Sequence, residues 1–433
     1  MQTSLRRIAR KAKQDKNYRF GNLYGLLDKN AVYLAYKDIN KKSASGIDEE
    51  TSKEFEKNLD ENLDTILEEL KSKKYKAKLV KRVYIPKGKG KMRPLGLPTL
   101  RDKIVQKAVA NILEVIYEQD FLKCSYGYRP NTGAQRAVRD LTKELMQKYS
   151  YIVEADIRSF FDNIDHQWLI KMLELRIKDK TFLRLIKKWL KAGILEIDGK
   201  VINPQTGCPQ GSIVSPILAN IYLHYALDLW FDKVVKPRSR SDAYICRLAD
   251  DFVCAFRYKE DAERFYKVLG KRLGKFGLKL AEEKTKIISF TRFRKYENTS
   301  FEFLGFEYRW TVSKRGKDII TRITSRSKLR KSIKEFTQWC KENRNKRIKR
   351  MIDMLNLKFR GYFNYYGVIG NSKGLNDFYG QAMKILYKWL NRRSQKKSFN
   401  WEEFDAKMKR YGLITPKIVE IPDRQMRIEE CFA

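Results

Sequence analysis

Three aspartates stand beside apolar segments, where a carboxylate is costly to bury unless it meets a cation. Asp156 follows the largely apolar segment 151–155, and Asp250 and Asp251 lie together between two further apolar segments. Carboxylates without a neighbouring histidine favour a hard cation such as Mg²⁺. Two such ions about 4 Å apart can activate a hydroxyl group and stabilise a leaving pyrophosphate. A plainer alternative is that Asp250 and Asp251 only form a turn.

The composition indicates a polyanionic partner. The 433 residues include 92 Lys and Arg against 52 Asp and Glu, which gives a formal net charge of +40. That charge repels itself in a compact fold and exceeds what solubility requires. Aromatic residues make up 12% of the chain, so bases could stack on rings while phosphates meet Lys and Arg. We therefore expect nucleic acid as the partner. No membrane is expected, because no apolar run approaches the about 18 residues of a membrane span.

Strand and turn signals surround the aspartates. Residues 151–157 predict a short strand, and residues 244–248 and 252–256 predict a hairpin whose turn carries the aspartate pair. Residues 79–99 predict a second, basic hairpin with a Gly/Lys turn. The sequence T-S-K-E from Thr51 is a capping box, which predicts the start of a helix.

Residues 327–390 have a helical pattern with a strongly basic beginning. Apolar residues recur at helical spacing in three stripes, which are Leu329, Ile333, Phe336 and Cys340; Ile348, Ile352, Leu355 and Phe359; and Leu375, Phe378, Ala382, Ile385 and Trp389. From Arg326 to Arg350 there are 11 Lys or Arg and two acidic residues. We expect a three-helix unit whose basic face binds phosphates. The candidate nucleic-acid-binding residues are Arg326, Lys346, Arg347, Lys349 and Arg350.

Motif-like blocks follow one another between residues 31 and 390. They include VKRVYIPKGKGKMRPLGLP (80–98), SYGYRP (125–130), YIVEADIRSFFDNIDH (151–166), GCPQGSIVSPILANIYLH (207–224), RLADDF (247–252), FLGF (303–306) and RGYFNYY (360–366). In this order they resemble blocks of the reverse transcriptase family, and within it of the proteins encoded by group II introns. The block 207–224 is the most specific, being close to G-x-P-Q-G-x-x-x-S-P-x-L-x-N. The block 125–130 is similar to S-Y-G-F-R-P, and RLADDF stands where the family has R-Y-A-D-D.

The resemblance implies a metal-dependent catalytic centre. Asp156 and Asp250 would bind two Mg²⁺ ions, for which Mn²⁺ can substitute, and the carbonyl group of Ile157 would assist. Asp251 would support catalysis beside them. The six cysteines are scattered and the chain has two histidines, so we expect free thiols and no zinc site.

The resemblance also implies how a nucleotide is bound. Lys87 and Arg93 would hold the triphosphate, as a point charge and a planar fork respectively. Gln210 would contact the incoming nucleotide, and Lys284 would lie near the metal site or the primer. Phe161, five residues after Asp156, would stack under the deoxyribose and exclude a 2′-hydroxyl group.

The alternative for Phe161 is an ordinary core position. Phe160 is its neighbour in the sequence, and one of the two rings is expected in the core. The pattern alone does not choose between them.

The resemblance implies an α+β fold, a right-hand polymerase. Its fingers and palm, with an antiparallel sheet and a ferredoxin-like palm, would occupy residues 76–322. An N-terminal extension over 1–75 would precede them, and a three-helix thumb over 323–392 and a short tail over 393–433 would follow. The tail has no histidine and one cysteine, so we expect no HNH nuclease of the kind that many intron-encoded proteins carry.

The implied function is DNA synthesis on an RNA template, with a DNA or RNA primer and dNTPs as partners and a cognate structured RNA as a further one. We expect a bacterial cytoplasmic protein and leave its oligomeric state open. Leu248 replaces the family's Tyr before A-D-D, and Ser212 replaces the second Gly of Q-G-G. Two alternatives stay open: a splicing factor that mainly binds RNA, and a free-standing reverse transcriptase in phage defence or DNA repair.

Overall fold

The computed structural model describes residues 2–88, 90–297, 299–313, 315–393 and 398–420. Its chain forms two compact units. The first unit consists of the chain up to Gly133, Ala155–Phe252 and Glu263–Lys286. The second unit consists of Ala134–Glu154, Val253–Ala262 and the chain from Ile287 onward.

Runs of helices and runs of strands follow one another along the chain, which agrees with the predicted α+β class. The helices are α1 Gln2–Gln14, α2 Lys29–Asp38, α3 Ser52–Lys57, α4 Leu59–Lys71, α5 Leu100–Tyr117, α6 Ala134–Leu145, α7 His166–Glu174, α8 Lys180–Leu190, α9 Ser215–Leu223, α10 Lys236–Arg238, α11 Lys259–Gly274, α12 Arg326–Asn343, α13 Ile348–Tyr366, α14 Ser372–Leu390 and α15 Trp401–Arg410. The strands are β1 Val80–Gly88, β2 Lys91–Leu97, β3 Tyr151–Arg158, β4 Ile194–Leu195, β5 Val201–Ile202, β6 Ala243–Leu248, β7 Asp251–Phe256, β8 Lys279–Leu280, β9 Lys286–Ser289, β10 Ser300–Phe303, β11 Phe306–Val312 and β12 Asp318–Thr324. Within the described residues, no helix is long and apolar enough to cross a membrane.

Local signals place the first helices. The capping box predicted at Thr51 is confirmed: its hydroxyl group accepts from the backbone N–H of Glu54, and the Glu54 carboxylate accepts from the N–H of Thr51 at 2.8 Å. Asn58, with φ −124°, separates α3 from α4. The apolar face of α4 is buried, as its spacing predicts; its core residues are Leu63, Ile66, Leu67 and Leu70.

The basic hairpin predicted over 79–99 is formed by β1 and β2. The two strands are antiparallel, with Ile85 opposite Arg93 and an irregularity between Pro86 and Gly88. They belong to a four-stranded sheet of order β2-β1-β4-β5, in which β1 and β4 run parallel. Arg93 is exposed at this hairpin.

A second sheet presents the predicted catalytic strands. Its order is β6-β7-β3-β8, and β9 also pairs with β3. Strands β6 and β7 match the predicted hairpin to within a residue, and their apolar residues are almost continuously buried, with residues 252–256 all in the interior. Ile157 of β3 lies opposite Leu280 of the short antiparallel strand β8.

The helix that follows the block 207–224 has an unusual continuation. Helix α9 begins with a Pro in its first turn, as helix N-termini favour. It continues through two π-type segments, His224–Asp228 and Phe231–Val235. Such wider turns are rare and frequently lie at functional sites.

The C-terminal bundle, which we define as α12–α15, encloses an aromatic core in the second unit. All three predicted apolar stripes pack into this core, which confirms the helical pattern. Helix α15, which the sequence analysis placed in the tail, contributes the buried residues Phe404 and Met408. A three-stranded antiparallel sheet of order β10-β11-β12 precedes the bundle in the chain.

Candidate active site

The aspartate pair lies at the turn between β6 and β7. Leu248 ends β6, Ala249 and Asp250 form the turn, and Asp251 begins β7. Ala249 has a φ of 57°, in the left-handed region that residues other than Gly seldom adopt. Asp250 is half-buried and Asp251 is exposed. The turn therefore presents two adjacent carboxylates at the end of a buried hairpin.

Asp156 lies on the neighbouring strand, β3. Its carbonyl group accepts a hydrogen bond from the N–H of Ala281 at 2.8 Å. Its carboxylate is 28% exposed and pairs with the ammonium group of Lys284. That hydrogen bond raises the pKa of Lys284, and the charges of Asp156 and Asp251 add to the shift. The negative charges of Asp156 and Asp251 therefore both act on the ammonium group of Lys284.

The hydroxyl group of Tyr128 is within electrostatic range of both Asp250 and Arg93 of the basic hairpin. Burial raises the pKa of the Tyr128 hydroxyl group, the charge of Asp250 raises it further, and the charge of Arg93 opposes them. Arg93 and Asp250 therefore both act on this phenol, which is 54% exposed. Lys87 lies in β1, and its side chain is outside the described part of the structure.

Gln210 lies in a loop held by glycines. A Cβ atom at Gly211, which has a φ of 110°, would lie 2.7 Å from the carbonyl oxygen of Gly96. The N–H of Gly96 donates to the carbonyl oxygen of Gln210 at 2.6 Å, so this loop docks directly on β2. Position 211 therefore requires glycine, because any larger side chain would clash with β2.

Ser212, the departure from Q-G-G, has a structural role in this loop. Its hydroxyl group donates to the side-chain oxygen of Gln106 at 2.8 Å, and the N–H of Ile213 donates to the same oxygen at 3.1 Å. Ser212 and Gln106 are both buried. Sequence reasoning missed Gln106, which lies on α5, about a hundred positions away; the polar residue within an otherwise apolar helix face was the available signal.

The two neighbouring phenylalanines differ in burial. Phe160 is 2% exposed and belongs to the core, whereas Phe161 is half-buried. The carbonyl group of Phe161 accepts from the N–H of Cys208 at 2.8 Å, which joins it to the Gln210 loop. Phe161 is thus the less buried of the two rings, and its role as a sugar gate stays a prediction.

The predicted nucleic-acid-binding residues belong to the second unit. Arg326 is exposed at the first position of α12. The other four line one surface concavity at the start of α13, together with Asp353; they are Lys346, Arg347, Lys349 and Arg350. This concavity concentrates positive charge around a single carboxylate.

Comparison with known sequences identifies two families along the chain. Residues 85–308 match the family described as reverse transcriptase (RNA-dependent DNA polymerase). Residues 326–411 match the group II intron, maturase-specific domain. The second match covers the C-terminal bundle from α12 through α15.

Several known proteins are similar over long stretches. The group II intron-encoded protein LtrA of Lactococcus lactis subsp. cremoris is 31% identical, over 86% of this chain and 75% of that protein. Protein YkfC of Escherichia coli K12 is 35% identical, over 56% of this chain and 70% of that protein. Nuclear intron maturase 3, mitochondrial, of Arabidopsis thaliana is 30% identical over 30% of this chain and 18% of that protein.

The two matches follow one another in the same order as the motif blocks. The matched families agree with the right-hand polymerase fold predicted from those blocks. The first family match covers more than half of the 433 residues, and LtrA is matched over most of its own length. The chain belongs to the reverse transcriptase family, as an RNA-directed DNA polymerase of the group II intron type with a maturase domain.

Proposed function

We propose that Asp156, Asp250 and Asp251 form the catalytic centre of this polymerase. The centre adds a deoxynucleotide to a primer 3′-hydroxyl group on an RNA template. The observation that carries the proposal is the position of the three carboxylates: two lie at the turn between β6 and β7, and Lys284 pairs with Asp156 while its pKa responds to Asp251. Grouped acids at strand ends in an otherwise apolar setting call for cations.

The donors at this centre suit Mg²⁺. In the described part of the chain, no group of three or more His, Cys, Asp or Glu side chains is arranged to hold a metal ion, so the protein alone offers an incomplete set. Asp156 and Asp250, with the carbonyl group of Ile157, would supply oxygen ligands, and Mg²⁺ commonly takes one or two carboxylates and completes its shell with water and substrate phosphates. The two ions, for which Mn²⁺ can substitute, would lower the pKa of the attacking hydroxyl group and neutralise the departing pyrophosphate.

The surrounding residues bind and orient the nucleotide. Lys87 and Arg93 hold the triphosphate, and Gln210 contacts the nucleotide from a loop that is bonded to β2. Phe161 presents its ring to the sugar. Lys284 is a cation beside Asp156, placed to bind a phosphate oxygen once the carboxylate has another partner.

The C-terminal bundle binds the RNA backbone. Its residues Lys346, Arg347, Lys349 and Arg350 meet in one concavity, and Arg326 adds a further charge at α12. Side chains of this kind bind phosphates without reading sequence. This surface would hold the template and a cognate structured RNA.

Primer extension tests the proposed centre. The protein should extend a DNA primer on an RNA template only with dNTPs and Mg²⁺ or Mn²⁺. Asp156→Asn keeps the shape and removes the charge, so it should abolish extension, whereas Asp162→Asn, at an exposed position six residues later, should extend normally. Equal activity of both variants would contradict the assignment of Asp156.

A further inference from the structure

A buried ion pair lies directly behind the catalytic turn. Arg247, on β6, and Asp228, in the π-type segment His224–Asp228, both have 0% side-chain exposure. The pair is bidentate: Nε donates to Oδ1 at 2.7 Å and Nη2 donates to Oδ2 at 2.6 Å. Planar fork-to-fork pairing of this type fixes orientation as well as charge.

The guanidinium group also donates to three other partners. Nη1 donates to the carbonyl oxygen of Ala249 at 2.9 Å and to the side-chain oxygen of Asn220 at 3.2 Å, and Nη2 donates to the hydroxyl oxygen of Ser125 at 2.8 Å. A guanidinium group has five N–H donors, and all five are used here. The side chain therefore has one orientation in which every donor is satisfied.

The bond to Ala249 acts on the residue that precedes Asp250. Ala249 has the left-handed φ of 57°, which costs energy for any residue with a Cβ atom. Such conformations persist where the surroundings over-determine them. The Ala249 carbonyl oxygen accepts the hydrogen bond from Arg247 in the orientation that this conformation gives it.

The segment Cys124–Gly127 packs against the turn and is hydrogen-bonded to β6. Its backbone bonds to both sides of Arg247: the N–H of Arg247 donates to the carbonyl oxygen of Cys124 at 2.8 Å, and the N–H of Tyr126 donates to that of Arg247 at 2.9 Å. A Cβ atom at Gly127 would lie 2.5 Å from the nitrogen of Ala249. The amide of Asn220 spans both parts, since it accepts from Arg247 and donates to the carbonyl oxygen of Gly127 at 2.5 Å.

We propose that Arg247 is a positioning residue that sets the conformation of Ala249 and thereby the direction of the Asp250 carboxylate. Asp228 neutralises and orients it, and Ser125 and Asn220 connect it to the segment that packs against the turn. This inference rests on the proposed role of Asp250. It explains why polar residues from three separate motif blocks converge with Asp228 in an otherwise apolar interior.

The chain contains a matched control for this ion pair. Arg176 is 2% exposed and its Nε lies 2.9 Å from Oδ2 of Asp120. It donates to the carbonyl oxygens of Ala12, in the last turn of α1, and of Asp15 and Tyr18, which follow α1, and not to the catalytic turn. Arg176→Lys and Arg247→Lys therefore make the same chemical change in two buried pairs of one unit.

The test compares the two variants in single-turnover addition of one dNTP to a bound primer–template. Both should lower the melting temperature, because lysine cannot replace the planar fork. At a temperature where both are folded, Arg247→Lys should lower the maximal addition rate on the order of 10²-fold, with unchanged primer–template affinity and a higher Mg²⁺ requirement. Arg176→Lys should leave the rate unchanged. Equal rate losses in the two variants would overturn the proposal.

If Arg247→Lys does not fold, Ser125→Ala provides a second test of the proposal. It retains the ion pair and the bond to Ala249 and removes one of the five hydrogen bonds of the guanidinium group. The rate should fall about fivefold, the ratio that corresponds to about 1 kcal/mol, at a near-normal melting temperature. An unchanged rate would exclude the positioning role. Asp250→Asn is assayed in parallel: if it stays active, the catalytic assignment fails, which is a separate result from a failure of Arg247.

Discussion

The turn between β6 and β7, which carries the proposed catalytic aspartates, and the C-terminal bundle are stabilised in opposite ways. Behind the turn, Arg247 and Asp228 are fully buried and joined by directional hydrogen bonds. In the bundle the core is apolar and aromatic rings stack within it: Tyr362 stacks on Phe378 with ring centroids 3.8 Å apart, and Phe336 stacks on Phe359 at 5.7 Å. The charges of the bundle lie outside this core.

The difference corresponds to what each region must supply. Hydrogen bonds to a charged group depend on direction, so they can fix a carboxylate to the accuracy that catalysis needs. Apolar burial has little directional preference, but it can support a rigid surface on which mobile charges meet phosphates. We therefore expect changes to the bundle core to affect stability, changes to its face to affect binding, and changes at the turn to affect the reaction.

The largest stability effect is expected in the bundle core. Phe359 is 1% exposed and packs against several aromatic rings, so Phe359→Ala should cost about 3–5 kcal/mol of unfolding free energy. Arg350→Gln, on the exposed face, should change it by less than about 0.5 kcal/mol. Chemical denaturation measures both, and similar losses would refute the division between core and face.

The next effect concerns RNA affinity. Replacing Lys346, Arg347, Lys349 and Arg350 with Gln should weaken binding to many RNAs alike and reduce the salt dependence by about one unit of slope per lost phosphate contact. Titrations at several salt concentrations measure that slope. Asp353 lines the same concavity, so Asp353→Asn should strengthen binding. An unchanged slope would mean that these charges are only solvated.

Sugar selection should change by a smaller factor. Phe161→Ala should open space for a 2′-hydroxyl group and raise the use of rNTPs relative to dNTPs by about 10- to 200-fold, with primer binding unchanged. Competition between the two nucleotides measures the ratio. Phe160→Ala should mainly lower stability because Phe160 is in the core. A relaxed selection in Phe160→Ala alone would move the sugar gate by one residue.

The smallest effect is expected at Leu248. This residue is half-buried at the end of β6, and Leu248→Tyr restores the ring and hydroxyl group found at this position in the family. Extension from well-paired primers should rise and extension from mispaired ends should fall, each by a few-fold at most. A loss of stability of less than about 1.5 kcal/mol with no change in primer preference would indicate that Leu248 only packs.

The sequence predicted the elements whose apolar residues follow a recognisable pattern. It missed single interactions between distant positions, which leave no local pattern. The short apolar segments on either side of the aspartate pair predicted β6 and β7, and the helical stripes predicted α12 to α14, because burial leaves an apolar pattern in the sequence. The partner of Arg247 is Asp228, 19 positions away, and no local pattern relates the two. The hydrogen bond between Gln106 and Ser212 was missed for the same reason. Helix α15 was assigned to the tail because its two buried residues form too short a stripe.

The proposed catalytic residues were predicted by resemblance together with their positions beside apolar strands. Chemistry alone indicated a cation near Asp156 and the aspartate pair, but the roles of Gln210 and Phe161 came from the family blocks. The structure adds why the loop at Gln210 needs Gly211, which packs against Gly96. Close backbone approaches of this kind depend on tertiary packing, and a sequence pattern does not display them.

The central claim is that the Asp250 carboxylate is required for the reaction and not for binding of the primer and template. The most direct measurement is single-nucleotide addition by Asp250→Asn on a preformed complex with an RNA template and a DNA primer, alongside the affinity for that complex. We predict a loss of nearly all addition, because the cations lose a charged ligand, with primer–template affinity equal to that of the unaltered protein. Addition at a normal rate by Asp250→Asn would contradict the account.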